Sequence, residues 1–190
     1  MTSLFFVMLV LYVLTFLQQK YQQKATENQL SKIKEIEASV KELPREFFDY
    51  QNKYKRYTLN KQIQFEKRSS KISEKDYEYL YNVGKSIFFL IDKLKVKYPD
   101  EDIKYLVIIE GMASKDNYKS NNQLSYERAL ALLRLWESQG IMFESESCEI
   151  QIAGSGTGGI REYSQEDEYK NQRFLIQIVP KIGEIKFDNY

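Results

Sequence analysis

The sequence predicts an α/β fold, a β-α-β-α-β-β sandwich in which helices pack on a small mixed sheet. Short apolar segments with the two-residue period of strands alternate along the chain with two long segments of helical period. Gly, Pro or a polar cluster separates most of these segments. This order is typical of a sandwich of helices on one sheet, and 190 residues suit one such domain with attachments.

The chain begins with an apolar run that carries no charge. The run extends from Met1 to Leu17, and the first charged residue is Lys20. A membrane span needs about 20 apolar residues, with about 17 as the lower limit. A signal peptide would need a basic start and a small-residue cleavage site, which the run lacks. A buried core helix is the remaining alternative, but the run is unlike the rest of the chain. We therefore predict a transmembrane helix over residues 1–17.

Residues 18–56 are predicted to form a helical linker or stalk. They are polar and helix-prone, with a break at Pro44. A short apolar seam with spacings of three, four and three residues lies within them, at Ile33, Ile36, Val40 and Leu43. The seam fits a dimer stalk, an amphipathic segment lying on the membrane or on the domain, or a solvated spacer helix.

The folded domain is predicted over residues 57–190, and its first strand and helix come early. Leu59, Ile63 and Phe65 alternate with polar residues, which indicates a half-buried strand. A helix then begins at Ser73-Glu74 and ends near Pro99. One apolar stripe follows this helix, at Tyr77, Leu80, Tyr81, Gly84, Ile87, Phe88, Ile91 and Leu94.

A central strand and a second helix follow. The continuous apolar run from Tyr105 to Ile109 predicts a strand covered on both faces. The second helix extends from Leu124 to Gln139, and Gly140 ends it. Its predicted inner face consists of Tyr126, Ala129, Leu130, Leu133 and Trp136.

Two further strands complete the predicted sheet. Cys148, Ile150 and Ile152 alternate with polar residues, and the glycine-rich turn GSGTGG follows them. Phe174, Ile176 and Ile178 alternate in the last strand, which Pro180 is predicted to end.

Composition argues against several classes of function. The 28 basic and 27 acidic residues nearly cancel, so the overall charge gives no reason to expect a nucleic-acid partner. The absence of histidine excludes His-based zinc sites, histidine triads and the usual proton shuttle. Cys148 is the single cysteine, and its apolar strand predicts a core position. We expect no enzyme activity, no cofactor and no metal.

Several motifs, in order and on the expected elements, resemble the OmpA-like peptidoglycan-binding domain. The resemblance covers roughly Tyr57 to Lys181. The matching residues are Phe65, Ser70, Ile72, Glu110-Gly111, Asn121-x-x-Leu124-Ser125-x-x-Arg128-Ala129, Gly154, Gly156 and Asn171-Gln172-Arg173.

The resemblance implies a site for the peptide stem of peptidoglycan, whose diaminopimelate carries an ammonium and a carboxylate. Arg128 would hold the carboxylate through two parallel hydrogen bonds, although an ion pair on the helix surface is the alternative. Asn121 would cap the second helix or contact the ligand. The family's aspartate, three positions after the glycine, is replaced by Ser114. Asp116 is either its stand-in or a solvated turn residue.

The resemblance also includes the entry to the last strand. Asn171 and Arg173 match the family's Asn-Arg pair and are candidate ligand contacts, or else a turn and a strand-edge charge. The charged run from Arg161 to Lys170 is predicted to be a solvated loop.

The start of the chain, Met1-Thr2-Ser3-Leu4-Phe5-Phe6-Val7-Met8, resembles the membrane span of the B-type (MotB-family) subunit of ion-driven stators. In that family an aspartate that carries the ion lies two residues before the Met-Thr pair. We therefore expect the 1–17 helix to be N-terminally truncated, with the true start upstream of Met1. A basic leader there would also resolve the orientation problem, since Lys20 and Lys24 alone favour a cytoplasmic domain.

The implied protein is a stator-like subunit in the inner membrane. It would be single-pass, with its C-terminal domain in the periplasm, and would form a homodimer that binds peptidoglycan and a polytopic A-type subunit. Glu110-Gly111-x-Ala113-Ser114 also resembles B-type subunits of the Zorya antiphage systems, which implies a role in defence. The alternative is an OmpA-family cell-wall tether that conducts no ions.

Overall fold

A computed structural model describes residues 2–99, 102–143 and 146–182. The chain forms two units, which divide after Ala38. Residues 183–190 of the predicted domain lie outside the described residues.

The first unit is formed by helix α1, which spans Thr2–Ser39. The last residue of the helix, Ser39, belongs to the second unit. Every side chain from Leu4 to Leu17 is exposed to solvent. Within the described residues this is the one helix long and apolar enough to cross a membrane, judged by length and composition. The prediction of an apolar N-terminal helix that continues into a polar helical segment is confirmed.

The second unit is a five-stranded mixed sheet with two helices. In sheet order its strands are β1 (Phe48–Gln51), β2 (Arg56–Leu59), β5 (Phe174–Ile182), β3 (Ile103–Gly111) and β4 (Cys148–Gly154). The β3–β4 pair is parallel, and the other pairs are antiparallel. The helices are α2 (Tyr77–Lys97) and α3 (Asn121–Ser138). The predicted α/β class is confirmed.

One face of β3 is buried and the other is partly covered. Tyr105, Val107 and Ile109 are buried, whereas the residues between them are half-buried. Gly111 lies on the buried face, and a Cβ there would lie 2.1 Å from the backbone oxygen of Ser125 on α3. The helix therefore packs directly on this face. The prediction of a strand covered on both faces is therefore met on the face that carries Gly111, where α3 packs, and only in part on the other face, which is half-buried.

Trp136 joins the two helices. Its side chain is fully buried, and its indole Nε1 donates a hydrogen bond to the Leu80 carbonyl oxygen at 2.8 Å. A Cβ on Gly84 would lie 2.6 Å from the same nitrogen. Gly84 therefore provides the space that lets the indole pack against α2.

The buried face of α3 differs from the predicted one. Ser125 and Arg128 are 0% and 2% exposed, and Leu135 is also buried. Tyr126, predicted to face inward, is 46% exposed, and Leu130 is half-buried. The hydrophobic pattern misplaced the face because two polar side chains occupy inward positions.

The predicted first strand is also corrected. The structure contains a hairpin of β1 and β2 instead, and β2 ends at Leu59. The chain then leaves the sheet. At this point Lys61 Nζ lies 2.7 Å from Oδ1 of Asp76, and the Asp76 side chain is only 1% exposed. Ile63 and Phe65 follow in irregular backbone. Strand β1 lies inside the predicted linker, and the predicted boundary at residue 57 divides the hairpin.

Strand β5 continues beyond Pro180 to Ile182, so the prediction that Pro180 ends it is wrong. Pro180 pairs with Tyr105 on β3. On the other side of β5 the register with β2 includes only Leu175 and Ile176. Within the described residues, the sheet edge is therefore open beside Pro180, where a missing N–H is tolerated.

Candidate ligand-binding site

The loops that carry the predicted site residues meet at one end of the sheet. This is the end where the parallel strands β3 and β4 both finish. Ala113 N donates to the Gly156 carbonyl oxygen at 2.9 Å, which joins the loop after β3 to the glycine-rich turn after β4. Met112 N donates to the Arg173 carbonyl oxygen at 3.1 Å, which adds the entry to β5.

Two glycines let the start of α3 approach this sheet end. A Cβ on Gly154 would lie 2.5 Å from the backbone nitrogen of Tyr126, and Gly156 has a φ of +55°. The Gly156 N–H donates to Ser125 Oγ at 2.8 Å. Any larger residue at Gly154 would displace the helix start. The helix that carries Arg128 is thereby held against the glycine-rich turn.

Arg128 lies inside the protein, beneath the loop that follows β3. Its Nε donates to the Ser69 carbonyl oxygen at 3.1 Å, and Nη1 donates to the Met112 carbonyl oxygen at 3.4 Å. The guanidinium carbon lies 4.3 Å from the centroid of the Phe65 ring, a cation–π contact. These neutral partners fix the guanidinium in one orientation.

Arg128 is a buried cation with no ion-pair partner among the residues that the structure describes. In the described part of the chain no carboxylate oxygen lies within 4.0 Å of its guanidinium. Burial lowers the pKa of Arg128 to about 10, and the more distant charge of Asp116 opposes that lowering. A buried charge of this kind is costly unless a counter-ion arrives.

Asp116 is held as a carboxylate in the loop between β3 and α3. Its Oδ1 accepts hydrogen bonds from Asn121 Nδ2 at 2.7 Å and from Tyr118 N at 2.9 Å. These two hydrogen bonds lower the pKa of Asp116, the one from Asn121 more than the one from Tyr118. The positive charge of nearby Arg68 lowers it further. The side chain is exposed and therefore accessible to a ligand.

Asn121 has a more definite role than the sequence suggested. It is 6% exposed, and its amide donates to Asp116. It is the first residue of α3, and the preceding Ser120 makes no side-chain cap. Asn121 therefore orients the carboxylate of Asp116 rather than capping the helix.

Ser114 is tied to the opposite loop. Its Oγ accepts a hydrogen bond from the side-chain amide of Gln172, just before β5. Ser114 is half-buried. The hydroxyl therefore links two loops and carries no charge that could replace a carboxylate.

Asn171 uses all of its hydrogen-bonding capacity within its own loop. Its Oδ1 accepts from the N–H groups of Glu162 and Tyr163, at 3.2 and 3.3 Å. Its Nδ2 donates to the Tyr163 carbonyl oxygen at 3.1 Å and to Glu168 Oε2 at 3.0 Å. The side chain is 0% exposed, so in this structure it organises the loop.

Arg173 belongs to a charged network that the sequence analysis missed. Its Nη1 lies 2.6 Å from Glu162 Oε2. Arg56, which is 7% exposed, lies 3.7 Å from the other oxygen of Glu162 and 4.0 Å from Glu110 Oε2. Residues of the hairpin, of β3 and of the segment that leads into β5 thus meet in one ionic network, which no local sequence pattern signals.

The predicted solvated loop from Arg161 to Lys170 is partly structured. A 3-10 helix spans Gln165–Asn171. Arg161 pairs with Glu168, and both side chains are about one-fifth exposed, at 18% and 21%. Glu168 Oε1 also accepts from Lys115 N at 2.6 Å. The prediction of a solvated loop is therefore wrong for these two charges, because they connect this segment to the loop after β3.

The arrangement has a cation and an anion that are near each other but not paired. Arg128 can offer a guanidinium to a carboxylate, and Asp116 can accept hydrogen bonds from an ammonium. Sequence reasoning missed two parts of this site, the ring of Phe65 as a platform and the Ser69 carbonyl as an anchor. The only signal for Phe65 was its place in the family resemblance.

Comparisons with known proteins return structural matches only. No known family profile matches the chain, and no curated protein matches it. The C-terminal domain of Helicobacter pylori MotB is 16% identical, with a TM-score of 0.41, over 66% of this chain and 88% of that one. An outer membrane protein from Borrelia burgdorferi is 22% identical, with a TM-score of 0.43, over 70% and 95%.

The peptidoglycan-associated lipoprotein from Burkholderia pseudomallei is also similar. It is 14% identical, with a TM-score of 0.37, over 63% of this chain and 88% of that one. These proteins are of the kinds that the sequence motifs resemble.

Proposed function

We propose that the second unit binds the peptide stem of peptidoglycan, so that the chain is a membrane-anchored cell-wall tether. The observation that carries the proposal is the buried guanidinium of Arg128, which has no carboxylate partner in the described ranges and lies near an ionised Asp116. Diaminopimelate presents a carboxylate and an ammonium on one carbon. A separated cation and anion match such a zwitterion.

Each predicted site residue has a role in this proposal. Arg128 binds the ligand carboxylate, which supplies the counter-ion that the buried charge lacks. Asp116 accepts hydrogen bonds from the ligand ammonium, in place of the family's aspartate. Asn121 orients the Asp116 carboxylate. Ser114 joins the two loops, and Asn171 and Arg173 stabilise the outer loop beside the ligand.

The test is calorimetric binding of two synthetic stem tripeptides to the full chain in detergent. One tripeptide contains diaminopimelate and the other contains lysine, which lacks the second carboxylate. We expect the lysine form to bind at least about tenfold more weakly, because a charge-assisted bond to Arg128 is lost. Equal affinities would contradict the assignment.

Two variants and one control test the individual residues. Arg128→Lys keeps the charge but loses the fork, and Asp116→Asn keeps the shape but loses the charge. We expect both to weaken binding of the diaminopimelate tripeptide at least about tenfold. Asp92→Asn, at an exposed position on α2, is the matched control and should bind like the wild type.

A second candidate is the stator-like B subunit, and the Met-Thr and Phe-rich start of α1 favours it. In this candidate the chain is a homodimer in the inner membrane, holds its second unit in the periplasm and binds a polytopic A-type subunit, in motility or in antiphage defence. The contacts of Arg128 and Asp116 in the second unit concern ligand binding, so the tether is the function that the geometry supports best.

Affinity purification of the full chain from its native membrane separates the two candidates. A stator subunit should retain a polytopic partner through washing in mild detergent and should cross-link to a second copy. A simple tether should retain peptidoglycan fragments and no polytopic partner.

A further inference from the structure

The carboxylate of Asp116 lies among positive charges. Arg68 and Lys67 are near enough to lower its pKa, and Arg128 is near enough for the charge of Asp116 to raise its own. Glu66, the acidic residue next to Lys67 in the chain, lines a hollow that contains two lysines. The surroundings of Asp116 therefore carry more positive charge than its one carboxylate can balance.

Arg68 stands between the two charged halves of the candidate site. Its guanidinium carbon lies 5.1 Å from the centroid of the Tyr118 ring, and the Tyr118 N–H donates to Asp116 Oδ1 at 2.9 Å. The residue after Arg68 is Ser69, whose carbonyl oxygen accepts from Arg128 Nε at 3.1 Å. One neighbour of Arg68 thus contacts the anion of the site, and another contacts its buried cation.

The guanidinium of Arg68 is held in place and is open to a ligand. Its backbone has a φ of +58°, a left-handed conformation that a non-glycine residue keeps only where the surrounding fold enforces it. The cation–π contact with Tyr118 restricts the side chain further. Arg68 is exposed, and no carboxylate oxygen of the described residues lies within 4.0 Å of it. Its fork of donors can therefore take an anion from solution.

A zwitterion alone does not balance these charges. The ammonium and carboxylate on one carbon of diaminopimelate add no net charge to the site. An ammonium at Asp116 also meets the positive charges of Arg68 and Lys67. A ligand that brings a further carboxylate offsets that repulsion. The stem peptide has one on the adjacent residue, because its D-glutamate is linked to diaminopimelate through the side chain and keeps a free α-carboxylate.

We propose that Arg68 binds the α-carboxylate of the stem glutamate, so that the site selects stems with a free carboxylate over stems in which it is amidated. The inference rests on the proposed function, because it concerns the same ligand. A guanidinium can bind a carboxylate through two parallel hydrogen bonds. A carboxamide has no charge and one acceptor oxygen, so it loses both the second bond and the charge.

The test is calorimetric binding of two stem tripeptides to the full chain in detergent. Both contain L-alanine, D-glutamate and diaminopimelate, and in one of them the α-carboxyl of the glutamate is an amide. We expect the amide to bind the wild type about three- to fivefold more weakly, which is the effect of one exposed charge pair. Arg68→Gln should bind the two tripeptides equally.

Arg45→Gln is the matched control. Arg45 is exposed like Arg68, but it lines a hollow beside β1 that contains no residue of the candidate site. This variant should keep the wild-type preference. A preference that persists in Arg68→Gln overturns the inference.

The proposed function and this inference fail in different ways. If the wild type binds both tripeptides with one affinity, the stem site stands and the selective role of Arg68 is refuted. If the wild type binds neither tripeptide, the proposed function falls, and the inference falls with it.

Discussion

Replacing Arg128 by methionine separates a binding role from a structural one. The guanidinium is 2% exposed, contacts the carbonyl oxygens of Ser69 and Met112, and lies over the Phe65 ring. Methionine has a similar length and no charge, so it can fill most of the same space. The substitution removes the cation while it preserves packing.

The expected change in folding stability follows from opposing contributions. Lowering of the Arg128 pKa to about 10 implies that the folded state disfavours the charge by about 3 kcal/mol. Methionine removes that penalty. It also leaves two carbonyl oxygens without a donor, at about 1–3 kcal/mol each when buried. The bond to Met112 is long at 3.4 Å and belongs at the low end of that range. We expect the free energy of unfolding to change by no more than about 2 kcal/mol.

The assay uses the single tryptophan as its probe. Trp136 is fully buried, so its fluorescence reports urea unfolding of the full chain in detergent. Binding of the diaminopimelate tripeptide is measured on the same samples. We expect Arg128→Met to lose binding and to unfold near the wild-type midpoint, while the exposed Arg45→Met control changes neither.

A structural arginine would behave in the opposite way. If its two hydrogen bonds from a charged donor to buried carbonyl oxygens hold the fold together, their loss should cost about 3–6 kcal/mol in total. A loss of that size in Arg128→Met with tripeptide binding retained would refute the reasoning for Arg128.

Three further predictions concern the frame of the site. Gly111→Ala should lower the free energy of unfolding by about 3 kcal/mol or more, because the new Cβ would lie 2.1 Å from the backbone oxygen of Ser125. Gly158→Ala is the control and should be tolerated. Urea unfolding of the two variants measures the difference. Burial raises the pKa of Cys148 to about 12, so the thiol stays protonated in the folded protein at a pH where the thiol of the unfolded chain ionises. The stabilisation that results is lost as the pH rises toward the folded-state pKa. Alkylation of Cys148 at about pH 8 should therefore be at least about 100-fold slower in the folded protein than in urea, and equal rates would contradict its burial. Asn171→Ala removes four hydrogen bonds and should cost about 1–3 kcal/mol, with faster amide exchange in its loop; unchanged exchange there would argue against the loop-organising role.

The sequence by itself determined the elements that have a local signal. Three elements could be predicted because each has a pattern that repeats over neighbouring residues. They are the apolar run from Leu4 to Leu17, the apolar stripe of α2 and the alternating strand that begins at Cys148. Arg128 was readable as a site residue through its motif. Its burial was not, because a helical pattern assigns a charged residue to the solvent face.

Only the tertiary structure decided how distant segments meet. The Phe65 ring and the Ser69 carbonyl reach Arg128 across about 60 residues of sequence, and no local pattern signals such a contact. Pro180 is tolerated because the sheet edge beside it is open, which depends on where β2 ends. Asp116 gained its role when the fold placed Asn121 against its carboxylate. Contacts of this kind depend on how distant segments pack, which the periodicity of the sequence does not encode. Arg128 was therefore predicted from the sequence, whereas its contacts with Phe65 and Ser69 required the tertiary structure.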